Sequence, residues 1–140
     1  MMPTKLSLTL PLLIAPLCLS CSMGEYKSLA ESEVPKFHEY LDAGRFEELY
    51  NQSSDNLKNT ASKEDFVKLA TAIHNKLGNV VESKSNSYNI NYNTSGTFVT
   101  LVYETSFASG KGTEKFAYRI KDHKAILNGY WINSNDLITK

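Results

Sequence analysis

Arginine is nearly missing from this chain of 140 residues, with Arg45 and Arg119 as its whole supply. A site that grips phosphate or carboxylate with several planar guanidinium forks is therefore excluded. Cysteine is equally scarce. Both copies, Cys18 and Cys21, end the apolar leader, so the chain beyond them has no thiol for a disulfide, a thiolate metal site or a nucleophile. An excess of either charge is missing too, since lysine plus arginine and aspartate plus glutamate number 15 each. Without a basic stripe, nucleic acid is not expected as a partner. A spanning helix needs roughly 20 uninterrupted apolar residues. The run Leu6 to Leu19 is shorter and is broken by Pro11 and Pro16.

That run, preceded by Lys5, reads as a signal peptide over residues 1–20. Its end, Leu17-Cys18-Leu19-Ser20-Cys21, resembles the bacterial lipobox. Ser20 is the small residue before the cut and Cys21 the acceptor, whereas Leu17 is too bulky for Cys18 to serve. Cys18 itself stands where leucine is commoner. The resemblance implies cleavage between Ser20 and Cys21, a thioether-linked diacylglycerol and an amine acylated by a chain such as palmitate. Each buried methylene contributes about 0.8 kcal/mol, so two or three chains anchor durably. Ser22, in place of the aspartate that retains lipoproteins at the inner membrane, favours the outer membrane, with the domain facing the periplasm or the cell surface. The alternatives are an ordinary secretory signal that leaves a soluble protein and, third, a buried N-terminal helix. Residues 21–30 read as a tether and 31–140 as one domain, a length that suffices for a single core.

Within the domain the apolar period is helical first. Val34, Phe37 and Leu41 predict a helix from about Glu31 to Ala43, with Pro35 near its start and Gly44 beyond its end. A shorter stretch follows with Phe46, Leu49 and Tyr50 on one side, loop-like from Asn51. Ser62 with Asp65 predicts a capped helix continuing through Phe66, Leu69, Ala70, Ile73 and Leu77 to Gly78. The period then becomes two. Tyr88 to Tyr92, Val99 to Phe107, Phe116 to Ile120 and Ala125 to Ile132 read as strands, joined by turns at Asn93–Gly96, Ser109–Gly112 and Lys121–Lys124. Helices before strands predict an α+β fold, about three helices packed on one face of a four-stranded antiparallel meander whose other face is wet.

The series Phe37-His38-Glu39-Tyr40-Leu41-Asp42-Ala43-Gly44, Tyr50 with Ser53 and Ser54, Ser62 to Phe66, Leu77-Gly78 and Asn128-Gly129-Tyr130-Trp131-Ile132 resembles a family of small secreted bacterial proteins known as DUF4019. The resemblance spans most of the chain after the leader. It implies a cystatin-like or NTF2-like architecture, a curved sheet wrapped on a helix, and carries no activity or cofactor with it.

Few residues assemble into readable chemistry. His38 and Asp42, four apart on a helix, could orient an imidazole for proton transfer or simply form a solvated face. His38, His74 and His123 lack ligand spacing, so no metal is expected. Ser53 and Ser54 lack a nucleophile elbow, and Gly110-Lys111-Gly112 falls short of a phosphate loop. The aromatic strands offer more: Tyr88, Tyr92, Tyr103, Tyr118, Tyr130 and Trp131 could line a pocket or groove as well as a core.

Three functions remain open. One is a non-catalytic, lipid-anchored envelope module that binds an envelope protein or a small apolar ligand, with the polar strand Ser83–Asn93 as a docking edge. Another is an enzyme with an NTF2-like pocket, for which Asp42, Asp65 and Glu104 are the acids to inspect. The third is a cystatin-like protease inhibitor, for which Ser109–Gly112 is the comparable wedge.

Overall fold

A computed structural model describes residues 2–3 and 21–140. The apolar run of the leader and Ser20 lie outside the described residues, and of Cys21 only the backbone is described. The stretch 21–30, expected as a tether, is helical and opens α1 (Cys21–Asp42). The reason is a stripe that the small residues around it obscure. Tyr26, Ala30, Val34, Phe37 and Leu41 recur at steps of three and four, Ala30 and Leu41 are fully buried, and Tyr26 packs at the margin of the core. Pro35, expected near a helix start, therefore sits in mid-helix, where its missing N–H removes one bond of the ladder.

Two short helices follow, α2 (Phe46–Asn51) and α3 (Asp55–Thr60), the second in a stretch that reads as loop. A cap makes it: the Ser54 hydroxyl accepts the Leu57 N–H at 3.2 Å, and Leu57 is buried. Helix α4 (Lys63–Leu77) matches its sequence signature at both ends. The Ser62 hydroxyl accepts the Asp65 N–H at 3.1 Å, and Gly78 ends the helix at φ 76°.

The sheet is a meander in the order β1 (Val80–Asn93), β2 (Gly96–Phe107), β3 (Gly110–Lys121) and β4 (Lys124–Asn133), every pair antiparallel. β1 begins well before Tyr88 because ladder bonds need no apolar side chains, and Val80–Ser87 pairs with β2 through polar residues. An irregularity between Ser85 and Ser87 shifts the side-chain parity. Ser83, Ser85, Tyr88, Ile90 and Tyr92 consequently all oppose odd-numbered β2 residues and share their face, the one covered by α1.

The β2–β3 turn is Ala108–Ser109, and Gly110, Lys111 and Gly112, expected in the turn, already belong to β3. The turn is pinned by α5 (Asn135–Thr139), a helix the sequence did not announce. The Lys111 N–H donates to Asp136 at 3.1 Å, and a Cβ on Gly110 would lie 2.8 Å from Asp136 and 2.9 Å from Leu77. The β3–β4 turn holds Asp122 and His123 at φ 51° and 58°, as a tight two-residue hairpin requires. Beneath α1 the core runs through Val99, Leu101, Phe107, Phe116, Tyr118 and Leu127, while Glu104 and Trp131 project from the other face.

Candidate functional site

Strand β3 points Glu114, Phe116 and Tyr118 at α1, since alternate residues share a face. A carboxylate thereby occupies a core position, and Glu114 has no solvent exposure at all. Three donors surround it. His38 of α1 meets Oε2 through Nε2 at 2.7 Å, Thr105 of β2 donates to Oε2 at 2.5 Å, and Tyr130 of β4 donates to Oε1 at 2.7 Å. Thr105 Oγ1 lies 2.8 Å from the Ser83 hydroxyl, and with its own proton given to Glu114 it accepts the proton of Ser83. One acid thus ties α1 to all four strands, directly or through Thr105. His38 turns Nε2 to the acid, and its Nδ1 has no hydrogen-bond partner among the described residues.

His38 forms part of the wall of an open groove of about 700 Å³ between α1 and the β1–β2 half of the sheet, with Val34, Asp42, Ser83 and Tyr103. A second groove, of about 520 Å³, lies on the other flank of α1 above β3 and β4. Leu29, Phe37, Leu49 and Leu127 make its apolar lining, Lys124 lies on its rim, and Tyr118 contributes its ring. The Tyr118 hydroxyl is enclosed and has no hydrogen-bond partner among the described residues. Burial, then the nearby carboxylate of Glu33, pushes that phenol well above the ordinary tyrosine value. The Tyr130 phenol is raised likewise, by burial first and then by Glu114.

The six aromatic residues read as one lining are distributed over several places. Tyr103 and Tyr118 line opposite flanks of α1. Tyr130 turns its hydroxyl inward to Glu114, while Tyr88 and Tyr92 stand half-exposed on β1 beside the start of α1. Trp131 does not join them, because it opposes Lys115 on the other face, where Lys115 Nζ lies 4.5 Å from its ring.

His38 and Asp42 do not form a pair either. Asp42 accepts the Val80 N–H at 3.1 Å and fixes the start of β1, leaving His38 to Glu114. Asp65 is exposed at the first turn of α4, and Glu104, also exposed, accepts the Thr113 hydroxyl at 3.0 Å. Ser53 donates to the Leu49 carbonyl at 2.8 Å, and Ser54 caps α3. His74 packs against Phe46, and His123 lies 3.3 Å from Glu25, both remote from His38. Among the described residues no group of three potential metal ligands comes together. The β2–β3 turn is tied by its backbone to the end of α4 and the start of β1, Ala108 N–H donating to the Asn79 carbonyl at 2.9 Å and Ser109 N–H to that of Leu77 at 2.8 Å.

The acid that sequence reading missed is Glu114. One signal could have found it: it stands two and four residues before Phe116 and Tyr118, on the inward side of a strand.

The fold has relatives among solved structures. A protein from Catenulispora acidiphila superposes with a TM-score of 0.54 at 13% identity, covering 83% of this chain and 96% of its own. A protein from Novosphingobium aromaticivorans, provisionally named a scytalone dehydratase, gives 0.53 at 9% identity, covering 84% and 89%. At such identities the likeness establishes the architecture alone, an NTF2-like α+β fold. No curated protein sequence matches. The family described as "Protein of unknown function (DUF4019)" matches residues 34–130, from the middle of α1 to the Glu114 partner Tyr130, and this chain belongs to it.

Proposed function

We propose that this protein is an exported lipoprotein, held at the outer membrane through lipid on Cys21, whose domain binds a small, mainly apolar molecule as a binding module rather than an enzyme. The observation that carries the reading is the unpartnered Tyr118 hydroxyl beside a groove of mixed lining, in which Leu29, Phe37, Leu49 and Leu127 meet Glu33, Lys36 and Gln52. A buried polar group left without a partner costs about 1–3 kcal/mol. The ring, not the enclosed hydroxyl, faces the groove, so a ligand oxygen relieves that cost and gains specificity when the Tyr118 side chain turns toward it. The volume of about 520 Å³ is that of an ordinary small-molecule site. Lys124, with no carboxylate partner among the described residues, favours an acidic head on the ligand. A medium-chain carboxylate such as decanoate has the matching chemistry.

The test uses the full-length protein extracted from membranes in detergent, with decanoate as probe. Decanoate raises the melting temperature by mass action, and Tyr118→Phe weakens that response about tenfold in concentration. No response in the wild type, or an unchanged one in Tyr118→Phe, rejects the site. Cys21→Ala moves the protein from the membrane to the soluble fraction, and unchanged fractionation rejects the anchor.

A second reading is supported by Glu114. A buried carboxylate behind an imidazole that forms part of a groove wall is an arrangement suited to proton transfer, with His38 as base and Glu114 orienting it. Substrate turnover that disappears in His38→Gln while decanoate binding persists would favour this reading over the first.

A further inference from the structure

Two hairpin tips and the start of α1 converge at one end of the molecule. Tyr26 of α1 meets Tyr92, next to the β1–β2 turn, with ring centroids 6.3 Å apart, and Glu25 lies 3.3 Å from His123 in the β3–β4 turn. Arg119 of β3 joins the two tips by donating to the Ser95 carbonyl at 3.0 Å. Lys27 lies over the Tyr88 ring at 5.1 Å. This is also the end that carries Cys21, which lies within α1, so no flexible linker separates the acceptor cysteine from the folded body. Tyr26 is only about 7.5 Å further along the helix axis, at 1.5 Å per residue.

The chemistry of this end suits an anionic bilayer surface. Tyr88 and Tyr92 are 53% and 52% exposed, on a sheet whose other inward aromatic residues are covered. Tyrosine is favoured at membrane interfaces, where its ring sits among headgroups and its hydroxyl stays wet. Arg119, Lys121 and Lys124 have no carboxylate partner among the described residues, and the acids close by are Glu25 and Asp122. Lys27 is neutralised by Glu31 at 2.8 Å. The unpaired charge is therefore mainly basic and lies where the lipid attaches.

We propose that the domain rests on the membrane in one orientation, with Tyr26, Tyr88 and Tyr92 in the headgroup layer and Arg119, Lys121 and Lys124 against anionic lipid. This rests on the reading of Cys21 as the lipid acceptor. It gives that anchor a second contact, the usual requirement for a fixed pose. It also places Lys124, on the rim of the Tyr118 groove, beside the bilayer, so that an amphiphile can enter from the lipid.

Lipidation removes the last free thiol of the mature chain, so a single introduced cysteine can be labelled. Thr94→Cys marks the β1–β2 tip and Ala108→Cys the opposite end, both exposed. Each lipidated variant, carrying an environment-sensitive fluorophore, is reconstituted in vesicles of phosphatidylethanolamine with brominated phosphatidylglycerol. The expected result is quenching at position 94 at least threefold that at position 108, a contrast that Lys121→Glu with Lys124→Glu abolishes. Equal quenching at both positions in protein that sediments with the vesicles overturns the docking and leaves the anchor standing. Protein that fails to sediment overturns the anchor, and the docking with it.

Discussion

His38 on α1 and Glu114 on β3 are separated by 76 positions in the chain and by 2.7 Å in the fold. The pair is enclosed, and Thr105 and Tyr130 satisfy the remaining acceptor capacity of the carboxylate. Removing the acid leaves three buried groups without their partner. Glu114→Ala is expected to lower unfolding free energy by about 3–5 kcal/mol, the usual effect of breaking a buried pair from one side. Glu114→Gln keeps the shape and should lose less. Urea denaturation of the two variants checks the order.

Tyr118 and Tyr130 make a contrast within one residue type. The Tyr118 hydroxyl is buried without a partner, whereas that of Tyr130 donates to Glu114 at 2.7 Å. Tyr118→Phe should therefore leave stability unchanged or raise it by about 1 kcal/mol, and Tyr130→Phe should lower it by about 1.5–3 kcal/mol, the range for hydrogen bonds to charged groups. Equal losses in the two variants would show that the Tyr118 hydroxyl has a partner in solution.

The same two phenols predict an alkaline limit. Both are held well above their ordinary value in the folded protein, by burial first. Above the unfolded value of about 10 the unfolded chain loses these protons while the folded one keeps them. Folding then binds protons and stability falls as pH rises. The contribution is complete below that value and disappears as pH climbs through the folded values. Midpoints of urea unfolding from pH 8.5 to 11 should decline, and less steeply in the Tyr118→Phe, Tyr130→Phe double variant.

Two helix caps separate local from tertiary effects. Ser62 accepts only the Asp65 N–H, in an exposed first turn, so Ser62→Ala should cost about 1 kcal/mol. Ser54 caps α3 and also donates to Asn128 of β4 at 2.8 Å. Its alanine variant should lose roughly twice as much. Thermal unfolding of the pair measures the difference.

Much of this architecture was legible in the chain because the physical signals are local. Apolar spacing set α4 and the inner part of each strand, a hydroxyl followed by an acid set the start of α4, and Gly78 set its end. The tether reading failed because Tyr26 and Ala30 are too sparse a stripe to recognise until a sheet lies beneath them. α3 and α5 were hidden for a related reason: helices this short are not stable alone and form where a cap and one buried or packed leucine meet an existing surface.

By itself, then, the sequence determined the order of the longer helices and the four strands, both ends of α4, the first and last hairpin turns and a domain without thiols after Cys21. The tertiary structure decided which polar residues meet. A glutamate in a strand has no local reason to seek a histidine in a distant helix. Register places Glu114 inward, α1 lays His38 over it, and in that dry interior neither is stable without the other. The same stacking encloses the Tyr118 hydroxyl without a partner, a feature that exists only once α1 covers the sheet.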